Sequence, residues 1–510
     1  MASLRLVGLF LVAAAGAAAG DSAGSNSYTF ARSQVLVRFS QTAVKRRRLL
    51  AAQAPTALAG LSLQQYVGRH HRTKVPSVAG AGTAAVAAAI AASPADAILL
   101  FDITDGSTVQ QKLAQLRALP EVELAEPNFA RRVDRLASGG AAAASAATSA
   151  SQAAASGSAF SFLPDDPYFL SSAGWHLRQV AAPLAWATSK GSSNVKVCII
   201  DTGLNKYHEE FTDGRVVKGW SRACPTCNNP FPGNHTPIVK PTPGTAAYFD
   251  FSDTSGHGTH VAGILGAATN NSRGVAGMSW HVSFYICAVE SANGDFYTSS
   301  LLDCYSLCQA EGARIVSNSY FSDCDGAPPC YSQLEFEAIQ ELGGSGALFV
   351  AAAGNGAQAA GDALAVPQRA YPAGYQLPNI ISVAATTSTD TLASFSNYGA
   401  ALVHLAAPGA NVYSCNYTTN SSYMFLSGTS MATPVVSGAA ALLFALKPTA
   451  TVAEVRQALL ASVDVLPSLE GLVATGGRLN VARAMGHLLM GNRPVNSLLC
   501  EPAPPLLGPA

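Results

Sequence analysis

The chain has 510 residues, 49% of them apolar and only 12% charged, with a formal net charge of zero. At roughly 100–200 residues per domain, that length asks for two to four units, and the apolar share excludes a wholly disordered chain. Zero net charge gives nothing for nucleic acid or an anionic membrane surface to attract, so no nucleic-acid partner is expected.

In chain order, residues 1–20 come first. Arg5 precedes an apolar run from Leu6 to Ala15, and Ala17 and Ala19 stand in an A-x-A arrangement before Asp21. This predicts a secretory signal peptide and a secreted, extracellular protein. The alternative is a membrane anchor, but the run is shorter than the ~20 residues a spanning helix needs. No second apolar span follows it, so no membrane span is expected.

Residues 27–134 read as a small α+β unit without cysteine. Strands are predicted at Val35–Phe39 and Ala97–Phe101, a helix over Ser107–Leu119, and a further segment at Val122–Phe129. Lys45 to Arg48 is either a processing site or a solvated charge cluster. Residues 135–162 are almost wholly Ala, Ser and Gly, and predict a flexible linker.

From Pro164 to about residue 489, strands and helices alternate. Strands are predicted at Val195–Ile200, Val282–Val289, Ala313–Ser317, Ala347–Ala353 and Ile380–Ala384, with helices at Thr298–Glu311 and Leu334–Leu342 between them. Continuous apolar strands separated by helices imply an α/β fold with a parallel sheet covered on both faces. Residues 490–510 are a Pro-rich tail.

All 10 cysteines lie at or beyond position 198. In a secreted protein they predict disulfides, whose pairing the sequence leaves open. Cys324 and Cys330 could close a short loop. Cys224 and Cys227 suit a local disulfide, or two unrelated bridges, better than zinc, since no second CxxC or spaced His pair accompanies them. Cys304 and Cys308 share a helix face, and Cys198 and Cys287 read as buried thiols in strands. Sequons at Asn234, Asn270, Asn416 and Asn420 are candidate glycosylation sites.

Open parallel sheets place active sites beyond the carboxyl ends of their strands. Asp201 ends a strand and opens the turn Asp201–Gly203. His257 stands between Gly256 and Gly258. Asn355 follows the strand that ends near Ala353, and Ser430 precedes the apolar helix Val435–Leu446. A serine hydroxyl needs an adjacent base to act as a nucleophile, and His257 can supply one. Asp201 would fix the imidazole tautomer. The Asn355 amide and the Ser430 N–H would stabilise an oxyanion.

These segments, D-T-G, G-H-G-T-H-V-A-G, A-A-G-N and G-T-S-M-A-T-P, resemble the signatures of the subtilases, and specifically of thermitase-like members. The resemblance covers roughly residues 164–489. It implies a subtilisin-like, doubly wound, mostly parallel sheet preceded by a small α+β propeptide domain. The implied activity is that of a serine endopeptidase with Asp201, His257 and Ser430 as its triad and an acyl-enzyme intermediate. His260 is implied to be a packed residue, not the base.

The resemblance further implies that residues 27–134 are an inhibitory propeptide ending near Phe129. Ser319, Tyr320, Phe321 and Gly354 are implied to bind substrate as an added strand. A structural calcium ion is implied at Asp166, Glu210 and Asn271, with carbonyls near Ala268, Arg273 and Val275. Protein or peptide substrates, the chain's own propeptide and a monomeric state complete the expectation, with apolar or small residues favoured beside the cleaved bond. One rival is a binding protein that keeps the fold without catalysis; intact Asp201, His257, Asn355 and Ser430 argue against it. The other, a lipase-like esterase, lacks the G-x-S-x-G elbow.

Overall fold

The computed structural model describes residues 30–40, 58–67, 96–133, 163–222, 250–291, 294–322, 330–357 and 370–490, together with residues 86, 90, 93, 94, 136 and 137. The predicted signal peptide, the basic cluster at 45–48, the Cys224–Cys227 pair, Asn234, Cys324, most of the predicted linker and the tail lie outside the described residues.

The N-terminal unit runs β1 (Phe30–Phe39), β2 (Leu61–Val67), β3 (Ile98–Ile103), α1 (Val109–Arg117) and β4 (Val122–Arg132). The strands form an antiparallel sheet in the order β2-β3-β1-β4. Their side chains alternate between two faces. Val35, Val37, Leu99 and Phe101 pack on Val109, Leu113 and Leu116 of α1. Leu36, Leu100 and Phe129 face the other way, into a core that contains Leu301, Leu302 and Leu334 of the following unit. Helix α1 begins at a capping box in which Thr108 and Gln111 satisfy each other's backbone N–H groups. Strand β2 is absent from the predicted elements because Gln64 and Gln65 interrupt its apolar pattern.

Within the predicted linker, Leu136–Ala137 (β5) is a short strand, not loose chain; it pairs antiparallel with Leu426 and Ser427. Ladder hydrogen bonds hold a backbone whatever its side chains, so Ala/Ser/Gly composition did not foretell it.

The larger unit follows as β6 (Gly191–Asp201), β7 (Val216–Ser221), α2 (His257–Gly266), β8 (His281–Ala288), β9 (Asp295–Tyr297), α3 (Thr298–Ala310), β10 (Ile315–Asn318), α4 (Gln333–Gly344), β11 (Leu348–Ala352), β12 (Ile380–Thr386) and β13 (Leu405–Pro408). It continues with the hairpin β14 (Val412–Asn416) and β15 (Ser422–Ser427), then α5 (Thr429–Leu446), α6 (Val452–Ala461), β16 (Asp464–Val465), β17 (Gly477–Arg478) and α7 (Val481–Met490). A nine-stranded sheet has the order β16-β17-β13-β12-β11-β10-β6-β8-β7. Every neighbouring pair in it is parallel except β16 with β17. The fold is α/β, as the alternating apolar strands predict. Val197 and Ile199 of β6 face the core that holds α2 and α5, and Cys198 and Ile200 face α3 and α4.

Cys198 and Cys287 are not free thiols. Cys198 is bonded to Cys308 and Cys287 to Cys304. The two bonds staple one face of α3 to the adjacent strands β6 and β8. In the loop-entropy account, closing a separation of 17 residues stabilises by about 3 kcal/mol. Cys330 is also disulfide-bonded, whereas Cys415 is a buried free thiol. Helix α5 is long and apolar enough to cross a bilayer, yet 89% of it is buried inside the fold, which makes it a core helix.

Candidate active site

Asp201 is the last residue of β6, at the carboxyl end of the sheet. Its Oδ1 accepts from the backbone N–H of Thr202 at 2.7 Å and from His257 Nδ1–H at 2.7 Å. His257 is the first residue of α2, and both side chains are buried. The imidazole is thus held by one nitrogen, and among the described residues its Nε2 has no hydrogen-bond partner.

The approach of α2 to the β6 turn depends on two glycines. A Cβ on Gly258 would lie 2.2 Å from the Gly203 carbonyl oxygen, and Gly256 has φ +93°. Asp253, which sequence reasoning missed, secures the same junction. It accepts from the N–H groups of Gly256 and Thr259 and from the Thr202 hydroxyl, and the Thr202 hydroxyl accepts from Gly258 N–H. An acidic residue just ahead of a Gly-His-Gly helix start is the signal that marks it.

Ser430 lies in the first turn of α5 and is fully buried. Its hydroxyl donates to the Ser319 carbonyl at 3.0 Å, and not to His257. Asn355 follows β11. Its Oδ1 accepts from both the N–H and the hydroxyl of Thr429, each at 2.9 Å. That pairing settles which end of the amide is which, and it leaves Nδ2 buried on the Ser430 side without a partner among the described residues. Thr429 is a positioning residue that sequence reasoning also missed.

The predicted substrate residues separate by role. Phe321 exchanges two backbone hydrogen bonds with Arg132 at the end of β4, at 2.8 and 3.0 Å. On the other flank β4 pairs with β9, Ala130 opposite Tyr297 and Arg132 opposite Asp295. The end of β4 is therefore a strand laid between two edges, reaching past the expected terminus at Phe129. Ser319 is spent on Ser430, and the Tyr320 hydroxyl is buried against Asn318 and Tyr305. Gly354 has its N–H on Thr429 and its carbonyl on Asn397, so its backbone has no donor left for a substrate.

Behind β4, Glu126 accepts from the Ser332 hydroxyl at 2.5 Å and from Gln333 N–H at 3.0 Å, capping α4. Burial pushes its carboxyl up to about 7. Asn128 Oδ1 accepts from Ser299 N–H, capping α3. The two helix N-termini of one unit are thus capped by side chains of the other.

Asp166, Glu210 and Asn271 do meet. Asp166 accepts from Asn270 N–H at 2.8 Å, and Glu210 from Val275 N–H at 3.0 Å and the Tyr423 hydroxyl at 2.8 Å. The Asn271 amide nitrogen faces Glu210, and its oxygen accepts from Arg273 N–H. Burial pushes Asp166 up to about 6 and Glu210 to about 7. Among the described residues neither carboxylate has an ion-pair partner, and no group of three or more His, Cys, Asp or Glu could hold a metal. His260 is fully buried with Nε2 on the Met424 carbonyl, and burial drops it to about 3.

Residues 192–487 match the family described as Subtilase family. Among curated proteins, the chain is 35% identical over 326 residues to thermitase of Thermoactinomyces vulgaris, covering 64% of this chain and 100% of the relative. It is 30% identical over 387 residues to the thermophilic serine proteinase of Bacillus sp. (strain AK1), covering 76% and 78%. It is 36% identical over 267 residues to subtilisin DY of Bacillus licheniformis, covering 52% and 82%.

Proposed function

Because this chain belongs to the subtilase family and is a thermitase-like serine endopeptidase of the subtilisin type, we propose that it is secreted as a self-inhibited zymogen in which Asp201, His257 and Ser430 hydrolyse peptide bonds. His257 Nε2 takes the Ser430 proton once the hydroxyl turns from the Ser319 carbonyl. The Asp201 carboxylate, already on Nδ1–H, stabilises the imidazolium that results. The serine oxygen attacks the peptide carbonyl, and the oxyanion is met by Asn355 Nδ2–H and the Ser430 N–H. His257 returns the proton to the leaving amine, and water then releases the acyl group by the same steps.

The observation that carries the zymogen reading is the pairing of Arg132 with Phe321. A substrate strand would use those same backbone groups, so residues 27–134 act as an inhibitor of residues 164–489. Glu126 and Asn128 hold that inhibitor in place through the caps they give α4 and α3. Leu136 is anchored at Ser427, three residues before Ser430 in the sequence. The first cut is expected between these anchors, after residue 132 and before residue 136. Sequencing the N-termini that appear when purified full-length chain is incubated tests this. A cut inside β4, or none under conditions where added peptides are hydrolysed, overturns the self-inhibited reading.

Calcium is proposed as a structural ion. The two buried carboxylates, without a cation among the described residues, are hard oxygen donors of the kind it needs. Asn271 joins them only with its amide reversed, giving up the bond from Arg273 N–H. The ion would tie Asp166 to the loop after α2 and take no part in catalysis. The working protein is read as a monomer acting on protein or peptide substrates, with no nucleic acid.

A further inference from the structure

The cleft contains an ion pair that catalysis does not require. Arg131, one residue before the Phe321 partner, turns its side chain inward from β4 and is fully buried. Its Nη2 donates to Glu335 Oε2 at 2.6 Å and to the Cys330 carbonyl at 3.1 Å, and its Nη1 donates to Ser322 Oγ at 2.8 Å. Glu335 is also fully buried. Hydroxyls of Tyr305 and Tyr375 donate to its two oxygens at 3.1 and 2.8 Å.

Apart from the neighbouring Ala130 carbonyl, which Nη1 reaches at 3.5 Å, every acceptor in this pocket belongs to the catalytic unit, and the charge it meets comes from β4. Removal of β4 leaves a carboxylate oriented by two tyrosines in the first turn of α4, where the free N–H groups of the helix favour negative charge. A buried carboxylate deprived of its cation is costly, which gives the emptied pocket a strong preference for a new one. Burial alone would lower the pKa of Arg131, but the Glu335 charge reverses this and raises it. The acceptors are spread over two guanidinium nitrogens, which a planar fork can reach and a single ammonium cannot.

Register gives the position. The pairing is antiparallel, Arg132 opposite Phe321. On a substrate strand in that register, the residue two places further on faces Ser319, whose carbonyl oxygen lies 3.0 Å from Ser430 Oγ. That residue is the one acylated, and the Arg131 position is three residues before it.

We propose that Glu335, with Tyr305, Tyr375 and the Cys330 carbonyl, forms a guanidinium pocket that makes this protease select peptides carrying arginine three residues before the one whose carbonyl is attacked. The proposal rests on the reading that β4 lies where a substrate lies. It makes the N-terminal unit a template for the substrates the mature enzyme prefers.

The test uses the enzyme the full chain matures into and a set of peptides identical except at that position, which holds arginine, citrulline, lysine or leucine. Citrulline keeps the shape of arginine without its charge. The arginine peptide is expected to exceed the citrulline and leucine peptides in kcat/KM by at least about 30-fold, as loss of one partner of a buried charge pair implies. In Glu335→Gln that advantage is expected to fall to within about threefold, with cleavage of the leucine peptide retained. Arginine and citrulline peptides cleaved within about threefold of each other by the unmodified enzyme overturn the pocket. Hydrolysis of the leucine peptide in that case leaves the protease reading standing, so the two failures are distinct. The arginine-to-citrulline ratio needs no variant, so a Glu335→Gln protein that does not fold still leaves the question decided.

Discussion

Ser430 and Ser319 hold each other by two hydrogen bonds: the Ser430 hydroxyl donates to the Ser319 carbonyl at 3.0 Å, and the Ser319 hydroxyl donates to the Ser430 carbonyl at 2.9 Å. The second bond has its cause in the sequence. Pro434 lies inside α5 and has no N–H, so the carbonyl four residues earlier, that of Ser430, lacks its helical partner. Ser319 supplies the missing donor and ties Ser430 to the segment that follows β10. Ser319→Ala should leave that buried carbonyl unpaired, at a stability cost of about 1–3 kcal/mol measured by denaturant unfolding. A cost near zero would show that the carbonyl is satisfied in another way.

Ser430→Ala should lower kcat by about 10⁶-fold, the scale on which a triad nucleophile matters, and should leave the full-length chain uncut. A fluorophosphonate probe should label the unmodified enzyme at Ser430 and fail on the variant. Peptidase activity retained by purified variant would refute the triad.

Thr429 occupies the oxygen end of the Asn355 amide, and Nδ2 has no partner among the described residues. Asn355→Ala should therefore cost roughly 10²–10³ in kcat with KM little changed, since the donor acts on charge that develops only in the transition state. A change confined to KM, in steady-state kinetics on one peptide, would assign Asn355 to ground-state binding.

Calcium should raise thermal stability, by about 2.7 kcal/mol at a hundredfold excess over its dissociation constant. Chelation should lower the melting temperature of the unmodified protein and not that of Asp166→Ala. An equal response in both proteins would place any bound ion elsewhere.

His260 sets an acid limit. Burial, with the charges of His257 and His176 nearby, drops it from its usual 6.5 to about 3. Between those values the unfolded chain takes up a proton that the folded chain refuses. The stability His260 contributes is therefore complete above pH 6.5 and is lost as pH falls toward 3, at up to about 1.4 kcal/mol per pH unit. His260→Asn in a Ser430→Ala background, which prevents self-digestion, should lose less stability between pH 6.5 and 4 than the background alone. Parallel curves would show that His260 is not the group that titrates.

The sequence by itself determined the local features. Apolar runs such as Val195–Ile200 and Ile380–Ala384 are strands because a parallel sheet covered on both faces needs both sets of side chains apolar. The glycines around His257 and the proline after Ser430 mark positions where backbone must come close or lack a donor, and such marks are legible one residue at a time. What pairs with what was not legible. Cys198 and Cys308 are 110 residues apart in sequence and Arg131 and Glu335 more than 200, and no local pattern carries information over those distances. Strand β2 was hidden by Gln64 and Gln65, and β5 by small residues, because both are held by the ladder of a neighbour and not by their own propensity. Only the tertiary structure decided that the segment after Phe129 continues between β9 and Phe321, and that its arginine meets a buried glutamate of α4. Burial is a property of the assembled chain, and burial is what turns Arg131 and Glu335 from two ordinary charges into a pair that neither can leave without cost.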